Sequence, residues 1–178
     1  SVEEALPEAS DVRVFAEMMG YLNYCPLEAK YSDLGCPAYA PEIMTKVLAY
    51  AYSKGIRSSR RIEELLQVDV RFIWLASGLK PDHNTLARFR KSSSSELEGL
   101  FKDSVKLCIR AGLVFLNCVS ADGTKIAAAA SKKRIYNQER LDREMKRVEQ
   151  ILQEAQEIDR AEDELYGNGN GREIPQEL

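Results

Sequence analysis

The sequence is short of the residues that build metal and disulfide sites. It contains one histidine, His83, and four cysteines that form no Cys-X-X-Cys pair. A structural zinc ion takes four cysteine or histidine ligands at close spacings, so a zinc site is not expected. Unpaired, buried cysteines in a reducing cytoplasm are expected instead. The cysteines are Cys25, Cys36, Cys108 and Cys118.

Long hydrophobic runs are also missing. The longest apolar stretches, residues 113–119 and 127–130, are much shorter than the about 20 residues that a helix needs to span a bilayer. The first residues, Ser-Val-Glu-Glu, lack the basic and then apolar order of a signal peptide. We therefore expect a cytoplasmic protein with no membrane partner. Its 178 residues are enough to bury one hydrophobic core.

Charge is unevenly distributed along the chain, although the net charge is only −3. Residues 54–91 carry nine basic and four acidic side chains, and residues 102–140 carry eight basic and three acidic ones. Residues 141–178 reverse the sign, with eleven acidic and five basic side chains. A basic middle beside an acidic end favours a polyanionic partner. An ordinary solvated surface would give the same composition, and the charge pattern alone does not separate the two.

Apolar spacing and capping residues predict a mainly α-helical chain. The predicted helices cover residues 12–22, 42–53, 60–66, a short segment between Asp69 and Gly78, and residues 82–91, 95–110 and 137–165. The expected N-caps are Ser58 or Ser59, Asp69, Asp82, and Ser95 in a capping box with Glu98. Gly55 and Gly78 are expected to end the helices that precede them.

The pattern changes after Gly112. Residues 113–121 are predicted to form a buried strand and residues 124–128 a second one, joined by a hairpin turn at Asp122-Gly123. This divides the chain into a helical N-terminal domain at 1–111, a short β-hairpin that begins an α/β domain at 112–136, and a charged helix with a flexible tail at 137–178.

The three short helices between residues 58 and 91 are compatible with a helix-turn-helix-like unit that binds DNA. Residues 82–91 are the candidate reading helix, with Thr85, Arg88 and Arg90-Lys91 expected on one side and Leu86 and Phe89 in the core. Arginine at such places can pair with guanine or neutralise phosphate. The cations could equally serve solubility. The candidate DNA-binding residues of this region are Arg57, Arg60, Arg61, Thr85, Arg88, Arg90 and Lys91.

Asp122 has two interpretations. Asp-Gly is a common pair in type I′ hairpin turns and needs no chemical role. A carboxylate at a strand end, with Lys125 and the basic residues 132–134 nearby in sequence, also suits a site where Mg²⁺ meets phosphate. Spacing alone leaves both open.

Several motifs together resemble one known family. The segments SSRRIE, FIWLA and KPDHNTLARFR resemble the helical N-terminal domain of bacterial insertion-sequence transposases of the DDE type. The segment DGTK, residues 122–125, resembles their first catalytic strand. DELYG at residues 163–167 and the closing EIPQEL resemble the helical insertion that follows this strand. The resemblance covers nearly the whole chain.

The resemblance implies a DNA-binding role and a catalytic one. The helical domain of the family binds double-stranded DNA at the terminal inverted repeats of the element. Its catalytic domain has an RNase H-like fold, in which two aspartates and a glutamate hold two metal ions, here expected to be Mg²⁺. Asp122 corresponds to the first of these acids, which makes it the expected catalytic residue and metal ligand. Lys125 becomes a further expected DNA contact.

The sequence departs from the family in ways that shape the expected function. The second aspartate and the glutamate would lie beyond Leu178, so we expect this chain to be catalytically incomplete alone and to depend on self-association or on a C-terminal half. Residues 127–130 and the serine run at 92–95 also depart from the family, which predicts a truncated or decayed copy, or a fragment of a longer protein. Two alternatives stay open: a DNA-binding regulator derived from a transposon, and a module that pairs helices through the stripe of Leu141, Val148 and Leu152.

Overall fold

The computed structural model describes residues 6–30, 39–110 and 138–167. Within these ranges it contains eight helices and no strand. They are α1 (Asp11–Gly20), α2 (Cys25–Glu28), α3 (Pro41–Ser53), α4 (Ser59–Val68), α5 (Val70–Leu75), α6 (His83–Ser92), α7 (Ser94–Arg110) and α8 (Gln138–Tyr166). The prediction of a mainly α-helical chain is confirmed. The predicted strands and the hairpin turn at Asp122-Gly123 lie outside the described residues.

Three of the predicted N-caps are present. The Ser58 hydroxyl accepts a hydrogen bond from the backbone N–H of Arg61 at 3.1 Å and starts α4. Asp69 accepts from the N–H of Arg71 at 2.9 Å at the start of α5. These contacts satisfy N–H groups that have no partner inside the helix, which is why the helices begin at these residues.

Asp82 caps α6 in the same way. Its Oδ1 accepts a hydrogen bond from the N–H of Thr85 at 2.6 Å. The two predicted glycine stops are also present, because Gly55 has φ +80° and Gly78 has φ +77°. A residue with a Cβ would be strained there by about 1 kcal/mol or more, so the preceding helices end at these turns.

Two local predictions were wrong. The capping box at Ser95 does not form: α7 begins one residue earlier, and the Ser95 hydroxyl donates to the Glu96 side chain at 2.9 Å. Buried Ser93 alone separates α6 from α7. No helix was predicted between residues 22 and 42, but the segment around Pro26 forms the four-residue helix α2. Proline fits there because the first turn of a helix needs no N–H donor and matches its fixed φ.

The core lies between the N-terminal helices and is rich in aromatic side chains. Tyr50 of α3 contacts Phe15 of α1 and Phe72 of α5, with ring centroids 5.2 and 5.3 Å apart. Tyr52, on the neighbouring side of α3, packs edge-on against Phe101 of α7 at 6.0 Å. These rings join α1, α3, α5 and α7 into one apolar cluster.

Helix α8 packs against α7 and also contacts α4 and α6. Val148, Leu152 and Ala155 are buried in this contact. Part of the apolar stripe expected to pair with a partner helix is therefore used within the chain, while the side chain of Leu141 lies outside the described part. None of the helices in the described ranges is long and apolar enough to cross a membrane.

The cysteine prediction is confirmed for one residue. Cys108 is buried and free, and burial raises the pKa of its thiol to about 11. Cys25 is also free but exposed, contrary to expectation, because it begins the short surface helix α2. Cys36 and Cys118 lie outside the described residues.

Candidate nucleic-acid interface

Helix α6 has one buried and one exposed side. Leu86 is fully buried and Phe89 is 5% exposed, and both face the core as the sequence predicted. Arg88 and Lys91 are exposed on the other side of the helix. The apolar side fixes α6 to the body of the protein and leaves its cations accessible to solvent.

Two acidic groups hold the start of α6. Besides the Asp82 cap, Glu63 of α4 accepts the backbone N–H of His83 at 3.2 Å. The same Glu63 oxygen lies 2.7 Å from the Nδ1 atom of His83, whose side chain is buried. The helix is thus anchored to α4 at the end from which a recognition helix contacts base edges.

The exposed side of α6 carries a polar stripe. Asn84, Arg88 and Lys91 follow each other at spacings of four and three residues, which places them along one side of a helix. Thr85, beside Asn84, is partly exposed. In the described part of the chain, neither Arg88 nor Lys91 has an acidic side chain within salt-bridge distance. We call these four residues the outward face of α6.

Asn84 was not among the residues expected to bind DNA. The signal that could have identified it is its helical spacing from Arg88 and Lys91. Its amide can donate and accept hydrogen bonds, which is the chemistry that reads the edge of adenine in the major groove.

Arg90 is not on this face. The expectation that it lies beside Arg88 was wrong, because only 2% of Arg90 is exposed and its guanidinium forms a salt bridge with Asp159 of α8. Burial alone would lower the pKa of Arg90, but the Tyr52 hydroxyl and the Asp159 carboxylate more than offset it and raise the pKa. A cation in this position cannot contact DNA without leaving the core.

Two other candidate arginines also contact α8. Arg60 pairs with Asp163 at 2.9 Å and with Glu162 at 3.7 Å, and its side chain is 8% exposed. The Nε of Arg57 lies 3.7 Å from Glu154, while its Nη1 donates to the backbone oxygen of Tyr52 at 2.8 Å. The acidic side chains of α8 thus neutralise a part of the basic region.

Arg61 differs from Arg57 and Arg60. It is exposed on α4, and among the described residues its salt-bridge partner is Glu64, one turn along the same helix. An exposed pair of this kind contributes little to stability, so Arg61 can exchange Glu64 for another anion at small cost. It therefore stays a candidate DNA contact.

Asp122 and Lys125 lie outside the described residues, so the geometry around the expected metal ligand is not described. Within residues 6–30, 39–110 and 138–167, no group of three or more histidine, cysteine, aspartate or glutamate side chains is arranged to hold a metal ion. The expectation of Mg²⁺ therefore stays a prediction from the resemblance of residues 122–125.

Comparison with known proteins identifies the family. The family model of the transposase domain (DUF772) matches residues 1–92, which is more than half of the 178 residues and ends with the last residue of α6. No curated protein and no solved structure matches the chain. By this match, the chain belongs to the transposase-domain family.

Proposed function

We propose that the chain is the DNA-binding N-terminal part of a DDE-type insertion-sequence transposase, which recognises the terminal inverted repeats of its element. The membership of the transposase-domain family supports a role in transposition. The observation that carries the DNA-binding part is the outward face of α6, where Arg88 and Lys91 are exposed on a helix whose other side is buried.

The chemistry of this face suits the major groove. A groove about 12 Å wide admits an α-helix, and an arginine there can donate two hydrogen bonds to guanine. In the proposed complex Arg88 contacts a base edge, Thr85 lies close to the same groove, and Lys91 contacts phosphate. Arg61 supplies a further phosphate contact from α4.

The salt bridges to α8 reduce the number of arginines that are free to contact DNA. Arg57 and Arg60 are paired with its acidic residues, and Arg90 is buried. They are therefore poorer candidates for DNA contact than the charge count of the sequence implied. The proposed interface consists of the outward face of α6 and the exposed Arg61 of α4.

The catalytic part of the proposal rests on Asp122 alone, through the resemblance of residues 122–125 to a first catalytic strand. An aspartate oxygen is a ligand of the kind that Mg²⁺ prefers. In a complete set of three acids, the bound metal ions would supply activation of water or a 3′-hydroxyl for attack on a phosphodiester. Lys125 would lie next to that site and contact the DNA backbone.

A binding titration of the whole chain tests the proposal. The probes are a duplex carrying the inverted repeat of the element and a duplex of scrambled sequence, each labelled with a fluorophore for anisotropy. Arg88→Ala should cost on the order of 1–3 kcal/mol on the repeat and less on the scrambled duplex, because a base contact is sequence-specific.

Lys106→Ala is the matched control for this titration. Lys106 is an exposed lysine of α7, about three turns beyond the start of that helix. Its loss should leave both affinities unchanged. Equal losses for the two variants would contradict the proposed interface, and no binding by the wild type at low salt would contradict the proposed function.

A further inference from the structure

Four polar side chains from four helices meet inside the protein. They are Tyr52 of α3, Ser59 of α4, Arg90 of α6 and Asp159 of α8, which we call the Asp159 cluster. None of the four residues is more than 6% exposed. Three of them lie within the matched transposase domain, whereas Asp159 lies 67 residues beyond its end at residue 92.

Asp159 contacts two helices at once. Its Oδ1 accepts the backbone N–H of Ser59 at 2.8 Å, and its Oδ2 accepts the Ser59 hydroxyl at 2.6 Å. The same Oδ2 pairs with Nη2 of Arg90. Ser59 is the first residue of α4, so its N–H has no partner within the helix and a carboxylate there also interacts favourably with the helix dipole.

Arg90 connects Asp159 to the helix α3. Its Nη1 donates to the Tyr52 hydroxyl at 3.2 Å and to the Ser59 hydroxyl at 3.4 Å. A guanidinium keeps its charge when buried, and its planar shape fixes the directions of its donors. The cluster therefore defines where Arg90 lies relative to α3, α4 and α8.

The position of Arg90 determines the rotation of α6 about its own axis. Successive residues of an α-helix are about 100° apart, so Lys91 lies about 100° and Arg88 about 200° around the helix from Arg90. The apolar contacts of Leu86 and Phe89 are not directional. The hydrogen bonds and the salt bridge of Arg90 are directional, so they set the direction in which the outward face of α6 points.

We propose that Asp159 is a positioning residue for DNA recognition, which acts through Arg90 to hold the outward face of α6 in register with α4. The inference rests on the proposed DNA binding. It means that the DNA-binding unit is larger than the matched domain and includes α8.

Neighbouring contacts of α8 support this assignment. Glu162, one turn after Asp159, accepts the Ser58 hydroxyl at 2.8 Å. Asp163 pairs with Arg60, which also donates to the backbone oxygen of Gly167 at 2.7 Å. The last turns of α8 therefore contact the first turn of α4, and these contacts keep Asp159 in place.

The test uses Asp159→Asn in the whole chain, with Glu157→Gln as its matched control. Asparagine keeps the shape and can still accept from Ser59, but it removes the charge that holds Arg90. Glu157 is exposed on the same helix, so its variant removes one negative charge without touching the cluster. Affinity is measured for the inverted-repeat duplex and the scrambled duplex, at a temperature where circular dichroism shows each variant to be folded.

The inference predicts a loss of specificity. The ratio of the two affinities should fall by at least about tenfold in Asp159→Asn, the scale of losing one base contact, while the affinity for scrambled DNA is kept. Glu157→Gln should keep the wild-type ratio.

A double variant separates positioning from stability. Arg90→Met with Asp159→Leu removes both charges, and such apolar replacements of a buried ion pair often preserve or raise stability. If Asp159→Asn alone does not fold, the double variant is used in its place to measure specificity. Because it leaves the buried Ser59 N–H without the Asp159 acceptor, we expect it to fold but to melt below the wild type, with the same reduced specificity.

The possible failures are distinguishable. A folded double variant with wild-type specificity would overturn the inference, because Asp159 would then only stabilise the fold. A wild-type protein that binds neither duplex would overturn the proposed function and this inference with it.

Discussion

At the scale of single residues, the carboxylates at helix starts are the groups through which we expect the stability of the fold to depend on pH. Hydrogen bonds from Thr85 hold the pKa of Asp82 below its usual value of 3.8. The side chain and N–H of Arg71 lower the pKa of Asp69 in the same way. In both cases the folded state favours the charged form, so these residues contribute stability above the unfolded pKa and lose it as pH falls through the folded one.

Asp82→Asn should make stability less dependent on pH in the acidic range. Asparagine caps a helix about as well as aspartate, so the melting temperature near pH 7 should change little. Below about pH 4 the wild type loses the contribution of the Asp82 carboxylate, whereas the variant has no carboxylate to protonate. Thermal melts at several pH values between 7 and 3 measure the difference.

The control for this series is Glu17→Gln, which removes an exposed carboxylate from α1. The advantage of Asp82→Asn over the wild type should grow as pH falls, and the control should not show that trend. Parallel curves for Asp82→Asn and the wild type would contradict the linkage between the Asp82 cap and stability.

At the scale of helices, α8 is attached in two ways. Its middle part is apolar and buries Val148, Leu152 and Ala155 against the body of the protein. Its last turns are attached by Asp159, Glu162 and Asp163 to the start of α4. The apolar part removes hydrophobic surface from water, which is favourable but not directional, and the polar part supplies directional contacts.

Leu152→Ala should destabilise the protein by about 2–5 kcal/mol, because it removes a buried side chain and leaves a cavity between α8 and the core. Gln153→Ala, at the exposed neighbouring position, should change stability by less than about 0.5 kcal/mol. Urea unfolding followed by circular dichroism measures both. Equal midpoints for the two variants would show that α8 is not part of the folded core.

Local signals explain how much of the helical architecture the sequence could predict. The caps at Ser58, Asp69 and Asp82 and the stops at Gly55 and Gly78 act within one turn of the residue that carries them. Helix ends could therefore be predicted to within one or two residues. Helix α2 was missed because four residues give no period to recognise.

The candidate interface was less predictable, because burial of a cation depends on distant partners. Arg90 and Asp159 are 69 residues apart, and no local pattern connects them. The helical spacing of α6 predicted correctly that Leu86 and Phe89 face the core, but a strongly polar arginine next to them was assigned to the surface. Arg60 was misjudged for the same reason, since its partner Asp163 is on α8.

At the scale of the whole molecule, the basic region and the acidic region of the sequence contact each other within the described residues. Acidic side chains of α8 pair with Arg57, Arg60 and Arg90. Arg88 and Lys91 have no such partner in the described ranges and remain on the outward face of α6. Two cations available to a polyanion therefore lie on the helix that ends the transposase domain.

The salt dependence of DNA binding reports how many phosphates the outward face of α6 contacts. Each phosphate contact contributes about 0.9 to the slope of log affinity against log salt concentration on duplex DNA. Removing Arg88 and Lys91 together, as Arg88→Ala with Lys91→Ala, should make the slope for the inverted-repeat duplex shallower by about 0.9 to 1.8, with the lower value if Arg88 contacts only a base. Lys106→Ala should keep the wild-type slope. An unchanged slope in the double variant would contradict the claim that this protein binds DNA through the outward face of α6.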